Sequence, residues 1–192
     1  MYFDNAATTA HKPEVVAKAV YEALTSGQMG NPSRGAHGYA LRAYRTVLQA
    51  KESIKELFHA GDAYDVAFTY NSTVALNEVL KGLLSARDHV ISTTWEHNAV
   101  LRPLYQLEDD GLSVDFVHSD AETGILHYDE FEALLRPETK AVVCNHASNL
   151  TGNVLDLNRI KAFCKAHGLM LIVDVSQTAG AYPVDLSLSL IH

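Results

Sequence analysis

Residues Leu169-Met170-Leu171-Ile172-Val173 form an unbroken apolar run that stops at a carboxylate, Asp174, with an amide, Gln177, just beyond. A strand with one wet face alternates apolar and polar residues. A run without alternation predicts a strand covered on both faces, as in a parallel sheet inside an α/β domain. In open α/β sheets ligands sit beyond the carboxyl ends of the strands, so an acid placed there is positioned to meet a cationic group of a bound molecule. The competing reading is that Asp174 caps the turn or helix that follows.

The rest of the chain repeats this layout. After an irregular start, Asp4-Asn5-Ala6-Ala7-Thr8-Thr9, Pro13 opens a helix from Glu14 to Leu24, stopped at Ser26-Gly27. A loop dense in turn formers, Gly27 to Gly38, contains Asn31-Pro32-Ser33-Arg34-Gly35-Ala36-His37 and reads either as a functional loop or as a solvent-side connector. A long helix follows, Ala40 to His59. Asp65-Val66-Ala67-Phe68-Thr69 reads as a short buried strand. It leads through Tyr70-Asn71-Ser72-Thr73 into a helix, where Ser72 and Thr73 stand either as N-caps or as part of an anion seat on free N–H groups.

The next strand, His89-Val90-Ile91-Ser92, ends near His97, which opens another helix and reads as a ring-stacking, proton-moving imidazole or as a histidine satisfied by backbone. From Gly111 comes a hairpin-like or crossover piece with Val114, Phe116 and Val117, and then a short helix closed by Pro137. The strand Lys140–Cys144 ends in Asn145, His146, Ser148 and Asn149. A helix from Asp156 to His167, with Gly168 at its C-cap position, leads back to the opening strand. Strands alternating with helices predict an α/β fold, a three-layer, mostly parallel sheet with helices on both faces; right-handed crossovers would bring the strand ends to one edge.

Composition excludes several classes. With 192 residues, 47% of them apolar, the chain can bury a real core. Its formal net charge of -8 and scattered Lys and Arg argue against nucleic acid as a partner. No window has the apolar length a bilayer requires, and Met1-Tyr2-Phe3-Asp4-Asn5 lacks the layout of a signal peptide, so no membrane partner and a cytoplasmic location are expected. The two cysteines, Cys144 and Cys164, have no metal or CxxC spacing and read as reduced, packed thiols; no metal site is expected.

Four strand ends would then offer an anion seat, an imidazole, a neutral amide, and an acid with an amide three residues later. Together they describe a flat ligand with a phosphate at one end and a basic ring nitrogen at the other, which are the features of pyridoxal 5'-phosphate. At these residues the sequence resembles the class V aminotransferase and cysteine desulfurase family of fold-type I pyridoxal-phosphate enzymes. The resemblance runs from Tyr2-Phe3-Asp4-Asn5-Ala6-Ala7-Thr8-Thr9 through Gly30-Asn31-Pro32-Ser33, Glu96-His97-Asn98-Ala99-Val100-Leu101 and His146-Ala147-Ser148-Asn149 to Val173-Asp174-Val175-Ser176-Gln177. It implies that Ser72 and Thr73 hold the phosphate, that His97 stacks on the ring and shuttles protons, that Asn149 and Gln177 approach the ring hydroxyl, and that Asp174 pairs with the ring nitrogen. It places Asn5, Ala6, Arg34 and His37 on the substrate side, in a family whose members are usually dimers.

The resemblance also marks a departure. The family's Schiff-base lysine follows the aspartate, whereas the last lysine here is Lys165, ahead of Asp174. The expectation is therefore an N-terminal half: residues 1–40 as an N-terminal segment and active-site loop, and 41–192 as an incomplete cofactor-binding large domain, without the lysine region or the C-terminal small domain. The intact protein is expected to convert L-cysteine to L-alanine with sulfur passed to an acceptor protein. The alternatives are a selenocysteine lyase or another class V lyase or aminotransferase, and a chain that by itself is inactive.

Overall fold

The computed structural model describes residues 1–186. The chain divides into two compact units, Met1–Ala67 joined by Asp185 and Leu186, and Phe68–Val184. In the first unit, Tyr2 donates from its hydroxyl to the carbonyls of Asp4 and Thr8 and ties the irregular start together. Helices α1 (Glu14–Thr25) and α2 (Gly38–Leu57) follow, the first begun by Pro13 at its N-cap and the second capped by His37. At Gly30 the turn between them is packed closely enough that an added Cβ would stand 3.0 Å from the backbone of Tyr39 and Ala40, so a larger residue would push that backbone aside.

The second unit holds the sheet. Strands β1 (His89–Thr93), β2 (Ser113–Val117), β3 (Thr139–Asn145) and β4 (Met170–Asp174) lie in the order β2-β1-β3-β4, and every neighbouring pair is parallel. Helix α3 (Ser72–Leu83) leads into β1; α4 (Asn98–Asp109), α5 (Glu130–Leu134) and α6 (Leu157–His167) make the crossovers. Side-chain alternation gives each strand two faces. Val90, Ala141, Val143, Met170 and Ile172 pack with Leu76 and Leu80 of α3 and Val100 and Leu104 of α4. Ile91, Val142, Cys144, Leu171 and Val173 pack with Phe131 of α5 and Ile160 and Phe163 of α6. The result is the three-layer architecture that the uninterrupted runs predict.

The chain moves from β1 outward to β2, then passes back across to β3 and on to β4. The strand order therefore reverses between β1 and β3, and ligands in open α/β sheets bind at such a reversal, beyond the carboxyl ends of the strands.

Two sequence expectations are corrected and one is qualified. Residues 65–69 form no strand: no described segment pairs with their backbone, and Phe68 is 55% exposed. The run 170–174 is covered on both faces as expected, but it is only half-buried, because β4 is the edge of the described sheet and is flanked by β3 on one side only. The piece after Gly111 is a parallel strand beside β1, its polar residues standing on the exposed rim of that edge.

Leu80 is completely buried between α3 and the sheet. Leu80→Ala is expected to lower the unfolding free energy by about 2–5 kcal/mol, read from urea titration of the chain.

Candidate functional site

Both helices on the α3–α4 face begin at the carboxyl edge of the sheet. Helix α3 precedes β1 and so runs against it, which brings its N-terminus to that edge; α4 starts directly after β1 has ended there. The cap of α3 is neither Ser72 nor Thr73. Asn71 takes that part, its Oδ1 accepting from Val74 N at 2.9 Å. Ser72 and Thr73 consequently occupy the first turn, where backbone N–H groups lack helical partners, and both are exposed. Two hydroxyls over a helix N-terminus fit an anion.

His97 caps α4: its Nδ1 accepts from Ala99 N at 3.1 Å. The backbone-satisfied reading of this histidine thus holds for one ring nitrogen. A cap of this kind needs an unprotonated Nδ1, so in the neutral ring the proton sits on Nε2, and the exposed imidazole is fixed in orientation by the helix it starts.

The ends of β3 and β4 are in register. Asn145 stands opposite Asp174, and His146 N donates to the Asp174 carbonyl at 2.9 Å. By alternation with Ala141 and Val143, and with Met170 and Ile172, the side chains of Asn145 and Asp174 fall on the α3–α4 face. Asp174 Oδ1 accepts from Ser176 N at 2.8 Å and from Ser176 Oγ at 2.5 Å, so the acid does cap its turn and its carboxylate is held by doing so. Gln177, half-buried, lies on that turn. The turn is braced by Thr178, whose hydroxyl meets His146 Nδ1 at 2.8 Å; burial holds the His146 imidazole below its usual range. Asn149, also half-buried, sits on a second turn pinned by Ser148 Oγ, which accepts from Leu150 N and Thr151 N.

The remaining candidates belong to the first unit, and all are exposed. Asn5 Oδ1 accepts from Ala10 N at 3.3 Å, and His37 Nδ1 accepts from Ala40 N at 3.4 Å. Arg34 N donates to the Asn31 carbonyl, closing a turn in which Asn31 Oδ1 also takes Ser33 N. Ala6 lies in the irregular start. Local bonding accounts for the conformation of this loop, as it would in a connector.

Glu96 has a part that sequence reasoning did not assign. It is 9% exposed; its Oε1 accepts from Thr93 Oγ1 at 2.5 Å and from Asn145 N at 3.1 Å, linking the ends of β1 and β3. The sequence carries no local signal for this: Glu96 stands between Trp95 and the helix cap His97, and its burial comes from the strands packed around it. Burial, aided by the charge of Asp174, pushes its carboxyl up to about 8. The two cysteines behave as the sequence suggests. Both are free and buried, and burial raises the Cys144 thiol well above its normal range and the Cys164 thiol to about 12. No group of residues that could hold a metal ion occurs among the described residues.

The fold is that of an α/β protein with a parallel sheet whose polar residues collect at the carboxyl edge, about the strand reversal. The aminotransferase class-V family model matches residues 1–189, and the chain belongs to that family. The cysteine desulfurase IscS of Vibrio atlanticus (strain LGP32) is 34% identical over 190 residues, covering 97% of this chain and 46% of that protein. Among solved structures, the Escherichia coli cysteine desulfurase CsdA superposes with a TM-score of 0.80 at 29% identity, over 97% of this chain and 47% of that one. SspA, solved in complex with cysteine, gives a TM-score of 0.86 at 26% identity, over 97% and 53%. The chain thus spans about half the length of the proteins it matches.

The two possible duties of the α3 N-terminus separate by mutation. Asn71→Ala is expected to cost about 1 kcal/mol in urea unfolding. Ser72→Ala with Thr73→Ala is expected to stay within about 0.5 kcal/mol of the parent, since neither hydroxyl caps the helix.

Proposed function

We propose that this chain is the cofactor-seating part of a pyridoxal-phosphate-dependent cysteine desulfurase, which in its intact form takes sulfur from L-cysteine, leaves L-alanine and passes the sulfur to an acceptor protein. The observation that carries the reading is the gathering of Ser72, Thr73, His97, Asn149, Asp174 and Gln177 along the carboxyl edge on either side of the strand reversal. The donor set fits the cofactor chemically. Ser72 and Thr73 offer hydroxyls and free N–H groups to a phosphate, and Asp174 offers a fixed carboxylate to a protonated ring nitrogen.

When bound, pyridoxal phosphate supplies an electron sink for charge developing at an amino-acid α carbon. The chain's residues divide the remaining work. Asp174 keeps a proton on the ring nitrogen, Asn149 and Gln177 approach the ring hydroxyl, and His97 covers the ring and exchanges a proton through Nε2, since Nδ1 is held by Ala99. The assignment of Asn5, Ala6, Arg34 and His37 to the substrate side rests on the family resemblance alone. Dimerisation and a cytoplasmic setting accord with that resemblance. Selenocysteine lyase chemistry, or another class V lyase or aminotransferase reaction, would use the same seat.

The 192-residue chain by itself is expected to be inactive, because the family's lysine follows the aspartate and the last lysine here, Lys165, precedes it. The intact protein given L-cysteine and excess dithiothreitol, whose thiols reduce the enzyme-bound persulfide, is expected to release alanine and sulfide in equal amounts; alanine no higher than in the enzyme-free control removes the desulfurase assignment. The 192-residue chain mixed with pyridoxal phosphate and borohydride is expected to carry no cofactor on any particular lysine. A stable adduct at one lysine contradicts its inactivity.

A further inference from the structure

Glu96 lies where the strand order reverses, between β1 and β3, and its hydrogen bonding is half complete. Oε1 is doubly engaged, by the Thr93 hydroxyl and the Asn145 N–H. Oε2, also buried, has no hydrogen-bond partner among the described residues. The same is true of Asn145 Oδ1, although Asn145 Nδ2 donates to the Trp95 carbonyl at 3.1 Å. Two buried acceptor oxygens therefore go unanswered on two residues already joined to each other.

A buried acceptor without a donor costs about 1–3 kcal/mol, and an ionised carboxylate in such a place costs more. One proton addresses the deficit of Glu96. Carried on Oε2, it removes the charge and turns that oxygen from an unanswered acceptor into a donor. Burial, first, and the charge of Asp174 on β4 oppose ionisation of Glu96 and outweigh the two hydrogen bonds from Thr93 and Asn145 that favour it; the buried Cys144 thiol on β3 is held neutral and adds no charge here. No cation is paired with Glu96 among the described residues. His97, one residue on, points its Nδ1 at its own helix.

We propose that Glu96 is a positioning residue that works in its protonated, neutral form, tying the ends of β1 and β3 together beneath the ligand edge and leaving the negative charge there to Asp174. In this form it sets the start of α4, and with it His97, through the backbone one residue away. It also spares Asp174 a second anion nearby, which would disfavour the ionised aspartate that a cationic ring nitrogen requires. The bearing on pyridoxal phosphate rests on the function proposed above; the protonation of Glu96 does not.

The linkage has a definite sign. Below about 4.5 both folded and unfolded chains hold the proton, and between about 4.5 and about 8 only the folded chain does, so folding stability falls as pH rises through that window and levels off above it. The test compares the full 192-residue chain with E96Q, which keeps an acceptor and a donor without a charge, and with E96A, which keeps neither. Using 13C-glutamate labelling, the infrared difference between wild type and E96Q is expected to show a protonated carboxyl band at about pH 6.5 that is lost at about pH 9.5, either side of the raised titration. The decline in melting temperature across the window is expected to flatten in E96Q. Pyridoxal phosphate affinity, by equilibrium dialysis at neutral pH, is expected to stay within about twofold in E96Q and to fall about tenfold in E96A.

An absent carboxyl band, or an E96Q that matches E96A in both stability and affinity, overturns the proposal. Should E96A fail to fold, the infrared band and the E96Q melting curve still decide it. A chain that binds no pyridoxal phosphate while showing the band defeats the cofactor reading and leaves the neutral Glu96 standing.

Discussion

A parallel strand cannot be joined to its parallel neighbour by a tight turn. Each connection must cross a face of the sheet and return to the starting edge, and a helix is the usual way to do so. Everything about the candidate site follows from this constraint. Because β1 to β4 are all parallel, their carboxyl ends meet on one edge, and residues far apart in sequence, such as His97, Asn149 and Asp174, become neighbours in the architecture. Helices that pack on the α3–α4 face must start at that edge, which delivers two helix N-termini to the side on which Asn145 and Asp174 project. The site is less an addition to the fold than a consequence of where the fold puts its ends.

At this edge one atom of His97 and one of Asp174 make a structural bond that also fixes the direction of the rest of the side chain. His97 Nδ1 caps α4, which fixes the ring and assigns the proton to Nε2. Asp174 Oδ1 holds Ser176 twice, which fixes the carboxylate at the end of β4. At α3 the division is between residues: Asn71 takes the cap, and the hydroxyls of Ser72 and Thr73 are left to face solvent. Pre-set groups lose little freedom when a ligand arrives, so capping bonds of this kind favour binding.

Much of the architecture was legible in the sequence because parallel strands and amphipathic helices have distinct apolar periods. The helices from Glu14, Ser72, Asn98 and Leu157 lie where spacing and caps put them, and Gly168 takes the left-handed C-cap conformation, φ 67°. What escaped depends on partners. Residues 65–69 have strand composition but no neighbour to complete a ladder, and 170–174 have the pattern of a fully covered strand but stand at the edge of the described sheet. Periodicity reports what a segment is suited to pair with, and pairing itself is a property of the whole fold. Glu96 escaped for a related reason: that a carboxylate is buried depends on the strands around it, and nothing in its own neighbours specifies that its oxygen reaches Asn145, on a strand that comes much later in the chain.

The cysteines show where the chemistry of this chain stops. Accepting sulfur from a substrate requires a thiolate that is exposed enough to attack and acidic enough to exist near neutral pH. Cys144 is completely buried on β3, facing α6 across the core, and Cys164 is buried on α6 itself. Burial that excludes water destabilises the thiolate, and the raised thiol titrations of both residues follow from it. Neither thiol can act as a sulfur carrier without unfolding the layer it helps to pack. These residues thus build the floor beneath the polar edge, and the packing that the two thiols supply there is what keeps both of them out of reach of a substrate.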